Sequence, residues 1–503
     1  MKKQGSNLNS LNDINNQNEE SQHSYPSASL DNYKYWQYNT ILLYNVIMIY
    51  TCEWPSLFIE WIPSVCKSDP DFYYQDLILG TYSTEKNNYI LILEVKKETS
   101  LESVNTSDTL LREFLYQRVR FASIVSLPSE DLSHSSIYYE KINDFRHNLC
   151  NDTSKNFKIK NKIHHKCEIN KVTCSPQNKD VIACFSSDGN INILNLSNYP
   201  YEENEGKNNT IVNFDYTLKG HLYQGWGMEW SGENNLISSC ADDSYLCIWD
   251  INSCSTCPAT IGNAGGTTAV TSTEGGTVTA TSTIIGNTAN TTFTSSNSNR
   301  GIVYPLIKFF NDNVPLQDCC WRDNNVLTVS DNGHINIYDI RIRNIVSSIR
   351  PTVSCTLNSI DVNPHNNNIF ATGGTNKEID LWDFRYTSKS LHRIISQKET
   401  IIKLQWDRYQ PGILSSSSSD KYIYFFDTNK IGIEQTYEDS QDGPPELIFI
   451  HGGHSSNILD FSLNSSYSMM ISSISEDNTL HIWQPSRQAY EDASDTYDDT
   501  EVE

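Results

Sequence analysis

Four sets of residues in this sequence have types and spacing that could do chemistry. Cys254 and Cys257 form a CxxC pair, half of a zinc-ligand set. They lie in a Ser/Thr/Gly-rich stretch with no second pair or histidine nearby, so no metal site is expected there. His451 and His454 have a spacing that two ligands could share. Asp250, Asp339, Asp383 and Asp427 each follow an aromatic residue and are candidate acid–base carboxylates. Glu438, Asp439 and Asp442 precede Gly443-Pro444-Pro445, a stiff acidic run suited to holding Arg or Lys. No Gly-rich phosphate loop, paired metal-ligand motif or nucleophile elbow occurs, so neither catalysis nor a cofactor is expected.

The aspartates are periodic, which gives them another meaning. Trp249-Asp250, Tyr338-Asp339, Trp382-Asp383 and Phe426-Asp427 each close an alternating apolar run. The last three are spaced by about 44 residues, the period of four-stranded propeller blades. Trp483-Gln484 follows after a longer interval, so one loop, the one carrying the acidic run, has grown. Gly220-His221, Ser239, Asp243 and Trp249 form one set; Gly453-His454, Ser473, Asp477 and Trp483 form another. In WD repeats such side chains make a buried hydrogen-bonded chain, which makes His454 structural and the Trp-Asp carboxylates turn formers. Weaker copies at Asn190–Leu196 and Leu77–Val95 bring the count to seven blades.

The expected fold is therefore all-β: a seven-bladed WD40 propeller over residues 51–490, with an N-terminal helix and two long insertions. Residues 31–50 show apolar steps of three and four (Tyr35, Leu42, Leu43, Val46, Ile47) and read as the helix. Ser56–Pro63 is expected to latch the ring as the outer strand of the last blade. The insertions are 97–157, with a helical pattern capped by Asp108, and 253–300, whose composition predicts a disordered loop. Residues 1–30 read as a disordered arm and 491–503 as an acidic tail. A net charge of −24 argues against direct nucleic-acid binding and suits a basic partner. The 13 cysteines have no framework spacing, which fits a reducing compartment, and no apolar run is long enough for a membrane span.

Several strings exceed what WD repeats in general require: "YKYWQYNTILLYNVIMIYTCEWPSLFIEWIP", "KIHHKCEINKVTCSPQN", "LKGHLYQGWGMEW" and "KIGIEQTYEDSQDGPPELIFIHGGHSSNILDF". They resemble the retinoblastoma-binding, RbAp-type histone-binding proteins, the chromatin assembly factor small-subunit type, over most of residues 33–492. The resemblance implies a histone chaperone and adaptor found in the nucleus, and also in the cytoplasm. Its partners would be histone H4, with H3 as a second candidate, and subunits of deacetylase, acetyltransferase, nucleosome-assembly and Polycomb-type complexes. The first helix of H4 would lie between an apolar wall of Leu42, Leu43, Phe449 and Ile450 and a charged wall of Glu438, Asp439 and Asp442. A generic WD40 scaffold or ubiquitin-ligase receptor is the alternative, against which the "DGPPELIFIHGGH" string argues.

The resemblance also implies a peptide site on the narrow face of the propeller, at Glu168, Trp226, Asn358, Glu476 and Asn478. Here the chain departs from the family. Gln224, Gln317, Thr400 and Lys166 stand where glutamates are usual, and Ile402 replaces a stacking Phe. A weaker grip on an arginine of a histone H3 tail is expected.

Overall fold

The computed structural model describes residues 33, 36–37, 39–40, 43–63, 67–69, 72–83, 88–98, 157–199, 214–252, 301–351 and 355–490. The expected arm 1–30, nearly all of the insertion 97–157, the loop 253–300, the tail 491–503 and the pair Cys254 and Cys257 lie outside these residues. Among the described residues, no helix is long and apolar enough to cross a membrane.

Seven antiparallel sheets form in chain order, and each is one blade of a seven-bladed propeller. Blades 3 to 6 are four-stranded hairpin series; blade 3, for example, is Gly225–Trp230, Leu236–Ala241, Tyr245–Asp250 and Ile307–Phe310. Successive side chains on a strand point to opposite faces, so each blade offers an apolar surface to both neighbours. The core is accordingly a set of inter-blade clusters, such as Phe185, Met228 and Trp249 between blades 2 and 3. Gly301–Val303, where the described chain resumes after residue 252, pairs in parallel with Tyr216–Leu218 as a fifth strand on blade 2.

Blade 7 departs from the expectation. Its outermost strand is Tyr44–Thr51, antiparallel to Thr479–Pro485, with Met48 opposite Ile482 and Thr51 opposite Thr479. The N-terminal helix thus extends no further than residue 43, and the strand that closes the ring comes from the second half of the segment read as helix. The run YNVIMIYT is rich in β-branched and aromatic residues, and buried runs of this length satisfy helical and strand patterns alike. The segment Ser56–Pro63 instead supplies Ile59–Trp61, the innermost strand of blade 1.

The seven innermost strands surround a central channel. In six of them the register slips after the first residue, leaving Asn170, Trp226, Gln317, Asn358, Ile402 and Leu459 as bulge residues at one end of the channel. Deeper in, side chains of one blade accept a backbone N–H from the next. Glu60 accepts from Cys174 (3.1 Å), Glu229 from Trp321 (2.7 Å), Asp361 from Trp406 (2.7 Å) and Asp460 from Ile59 (2.8 Å). These bonds satisfy backbone groups that face the channel rather than a ladder partner, and they tie each blade to its neighbour.

Candidate functional site

The two histidine sets expected from sequence differ in protonation. In blade 3, His221 Nδ1 lies 3.1 Å from Asp243 Oδ1 and Nε2 lies 2.8 Å from Ser239 Oγ, which also accepts the Trp249 indole N–H at 2.8 Å. Burial opposes a charged ring here, but Cys247 and Asp243 outweigh it and lift His221 to about 10. In blade 7, His454 Nε2 meets Ser473 Oγ at 2.7 Å, but Nδ1 meets Thr479 Oγ1 at 3.3 Å, and Thr479 in turn donates to Asp477. With a hydroxyl between ring and carboxylate, burial wins and holds His454 well below the ordinary histidine value.

His454 belongs to a larger buried stack. The nitrogens of His451, His454 and His481 lie within 4.8 Å of one another. The Trp36 indole donates to Tyr44 Oη (3.0 Å), Tyr44 donates to His451 Nδ1 (2.8 Å), and His451 Nε2 meets His481 Nδ1 (3.3 Å). His454 and His481 stack with centroids 3.9 Å apart at 18°, so their lone pairs run side by side instead of converging on an ion. Five of the six ring nitrogens hold hydrogen bonds. This arrangement is a polar seam between blades 6 and 7, and Trp36 fastens the N-terminal helix onto it. The approach is close: a Cβ on Gly453 would come within 2.5 Å of the Trp36 ring.

Beside that helix lies the overgrown loop of blade 6, between Ile423–Asp427 and Leu447–His451. Its acidic run forms one helical turn, Asp439–Asp442. Thr436 caps the turn reciprocally: its hydroxyl donates to Asp439 Oδ2 (2.7 Å) and accepts the Asp439 N–H (3.2 Å). Gly443, at φ 144°, ends the turn in a conformation that side chains resist. After Pro444 and Pro445, Glu446 is buried and its carboxylate meets His392 Nε2 of blade 5 at 2.8 Å. Glu438, Asp439 and Asp442 remain exposed on a loop fixed at both ends.

The apolar wall is partly different from the expected one. Leu43 packs with Ile448, Ala489 and Tyr490 at the edge of the blade 6–7 core, and its carbonyl accepts the Ser486 N–H at 2.8 Å. Phe449, assigned to the wall from sequence, is only 6% exposed and lies edge-on to Tyr44 at 5.6 Å inside that core. Ile450 packs in the neighbouring cluster, with Tyr424 and Leu404. A register shift between Phe425 and Phe426 sets Ile448, which sequence reasoning missed, on the Leu43 side. Strand alternation alone could not reveal it. Leu42 lies outside the described residues.

On the narrow face, Trp226 and Asn358 occupy channel-mouth bulges, while Glu168 precedes the innermost strand of blade 2. Glu476 and Asn478 lie in the turn before Thr479–Pro485, with Asn478 at φ 63°. The Asn358 amide is committed to the Ile401 carbonyl of blade 6 (2.7 Å). Two of the departures are themselves engaged: Gln317 donates to Asp331 at 2.7 Å and Gln224 to Asp242 at 3.2 Å. Aspartates behind the glutamines thus keep negative charge at this mouth.

Two comparisons bear on these features. Residues 31–97, which hold the N-terminal helix and the latch strand, match the family described as histone-binding protein RBBP4 or the C-type subunit of the CAF1 complex. Residues 213–250 and 445–484 match the WD domain, G-beta repeat, and contain the His221 and His454 sets. The chain is an RbAp-type WD-repeat histone-binding protein. In this RbAp-type chain the family-matched N-terminal segment and the acidic loop are brought together by blade closure. That closure joins residues about 400 positions apart in sequence.

Proposed function

We propose that this protein is a non-catalytic histone-binding adaptor that holds the first helix of histone H4 between its N-terminal helix and the acidic loop. The observation that carries the reading is the loop itself. Three exposed carboxylates, Glu438, Asp439 and Asp442, stand on a turn fixed by the Thr436 cap, Gly443, two prolines and the buried Glu446–His392 pair. A rigid acidic ledge beside the Leu43–Ile448 strip suits a short basic amphipathic helix, with its apolar side on the strip and arginines against the carboxylates. Preorganisation lowers the ordering cost that a floppy loop would pay on binding.

Nucleosome-assembly, deacetylase, acetyltransferase and Polycomb-type complexes in the nucleus are the settings proposed for it. The net charge of −24 supports a basic partner through long-range attraction. Calorimetry with an H4 first-helix peptide tests the groove. We expect low-micromolar or tighter binding, weakened by salt. Combined replacement of Glu438, Asp439 and Asp442 by Ala should cost at least about tenfold, or about 1.4 kcal/mol. Wild-type affinity in the triple variant would refute the assignment.

A further inference from the structure

We infer that the channel mouth at which the innermost strands end is a second binding site, separate from the histone groove, for an arginine or lysine side chain of a basic peptide. The reading starts from two tiers of charge inside the channel. In the middle tier the charges are paired: Lys403 lies 2.7 Å from Asp460 and Lys171 lies 3.6 Å from Asp318. The outer tier holds Glu60, Glu229 and Asp361, from blades 1, 3 and 5. One oxygen of each carboxylate is held by a backbone N–H of the following blade, which aims the group without neutralising it. Three carboxylates in this tier face one cation, Arg408, which lies just beyond the blade 6 strand Ile401–Trp406.

Arg408 occupies the place loosely. Its guanidinium is 3.9 Å from Glu229, and its side chain is 62% exposed. It bears electrostatically on Glu60, Glu229 and Asp361 together, so a guanidinium at this position is felt by all three. A second observation points the same way. Thr173 alternates with the core residues Val172 and Cys174, which turns its side chain toward the channel between Glu60 and Glu229. Its hydroxyl is buried and has no hydrogen-bond partner. A buried hydroxyl without a partner is costly, and an incoming N–H donor would satisfy it.

The spacing selects the ligand. Among the described residues, no three of these carboxylate oxygens converge within 4.8 Å, so the tier is too wide to chelate a bare divalent ion. A long side chain ending in several N–H donors can bridge it instead. Burial also raises Glu60 and Asp361 to about 7, the sign of a tier short of positive charge.

The test uses the full chain and the peptide acetyl-Gly-Arg-Gly-amide, followed through the Trp321 indole N–H signal in NMR. That indole donates to the Glu229 carbonyl at 3.0 Å and reports locally. Arg408→Ala should vacate the site and tighten peptide binding at least about fivefold. Glu229→Gln with Asp361→Asn should weaken it at least about tenfold, while the amide oxygens still accept the inter-blade N–H bonds and preserve the fold. The citrulline version of the peptide should not shift the signal, and the Glu438/Asp439/Asp442 variant should bind as wild type does. Equal binding of arginine and citrulline peptides, or no gain on removing Arg408, would overturn the proposal. A peptide response lost only in the acidic-loop variant would assign the binding to the histone groove instead.

Discussion

Replacing His481 with Phe isolates the acid sensitivity of the seam between blades 6 and 7. Burial drives the His481 imidazole from 6.5 down to about 4, with Asp477 opposing only in part. The folded state therefore resists a proton that the unfolded chain accepts. His481 contributes nothing to the pH slope well above 6.5; as pH falls below 6.5 the unfolded state gains, and the loss levels off near 4. With those two values the wild type loses about 2 kcal/mol between pH 7 and pH 5 through this residue alone. His451 and His454 are also held low and add to the slope. Glu60 and Asp361, raised to about 7, act with the opposite sign, so the wild-type slope alone is not diagnostic. The decisive quantity is the difference in slope between wild type and His481→Phe, from denaturant midpoints at both pH values. The variant starts less stable, because His451 loses an acceptor, but should fall by about 2 kcal/mol less on acidification. Parallel pH profiles would refute the neutral, buried assignment of His481. The Trp36–Tyr44–His451 chain joins this seam to the N-terminal helix, so wild-type H4-peptide affinity should weaken over the same window.

Gly443→Ala should cost about 1–3 kcal/mol of loop order, since φ 144° suits only glycine and the new methyl would meet Leu447 at 2.7 Å. It is expected to weaken the H4 peptide severalfold with little change in global unfolding, read by calorimetry and thermal denaturation; unchanged affinity would show that loop rigidity is irrelevant. At the narrow face, an N-terminal histone H3 peptide should bind at least about tenfold more weakly than the H4 helix, measured in one buffer. Gln317→Glu would set a carboxylate against Asp331, so it should lower stability without peptide and strengthen H3 binding when combined with Gln224→Glu and Ile402→Phe. Equal H3 and H4 affinities in the wild type would contradict this reading.

Some parts of this molecule were legible in the sequence because they repeat. The Trp-Asp endings and the His221 and His454 sets recur at blade spacing, and the blades stand where that spacing puts them. The latch was not legible, because YNVIMIYT is apolar on both faces and only the free edge of Thr479–Pro485 decides that it is a strand. Phe449 and Ile448 exchange roles through a single register shift, which no two-residue pattern announces. The channel-mouth bulges and the aspartates behind Gln224 and Gln317 come from three-dimensional register, so substitutions that look like lost charge in sequence leave charge one hydrogen bond away.

The origin of the latch strand has a consequence for biosynthesis. Tyr44–Thr51 leaves the ribosome before any blade exists, yet its partner Thr479–Pro485 is made hundreds of residues later. Throughout that interval an apolar strand has no edge to pair with, which makes it a natural client for a chaperone. The helix before it and the acidic turn Asp439–Asp442 come together only when the ring closes. A truncated or half-folded chain cannot assemble the groove, so histone engagement would proofread completion of the propeller.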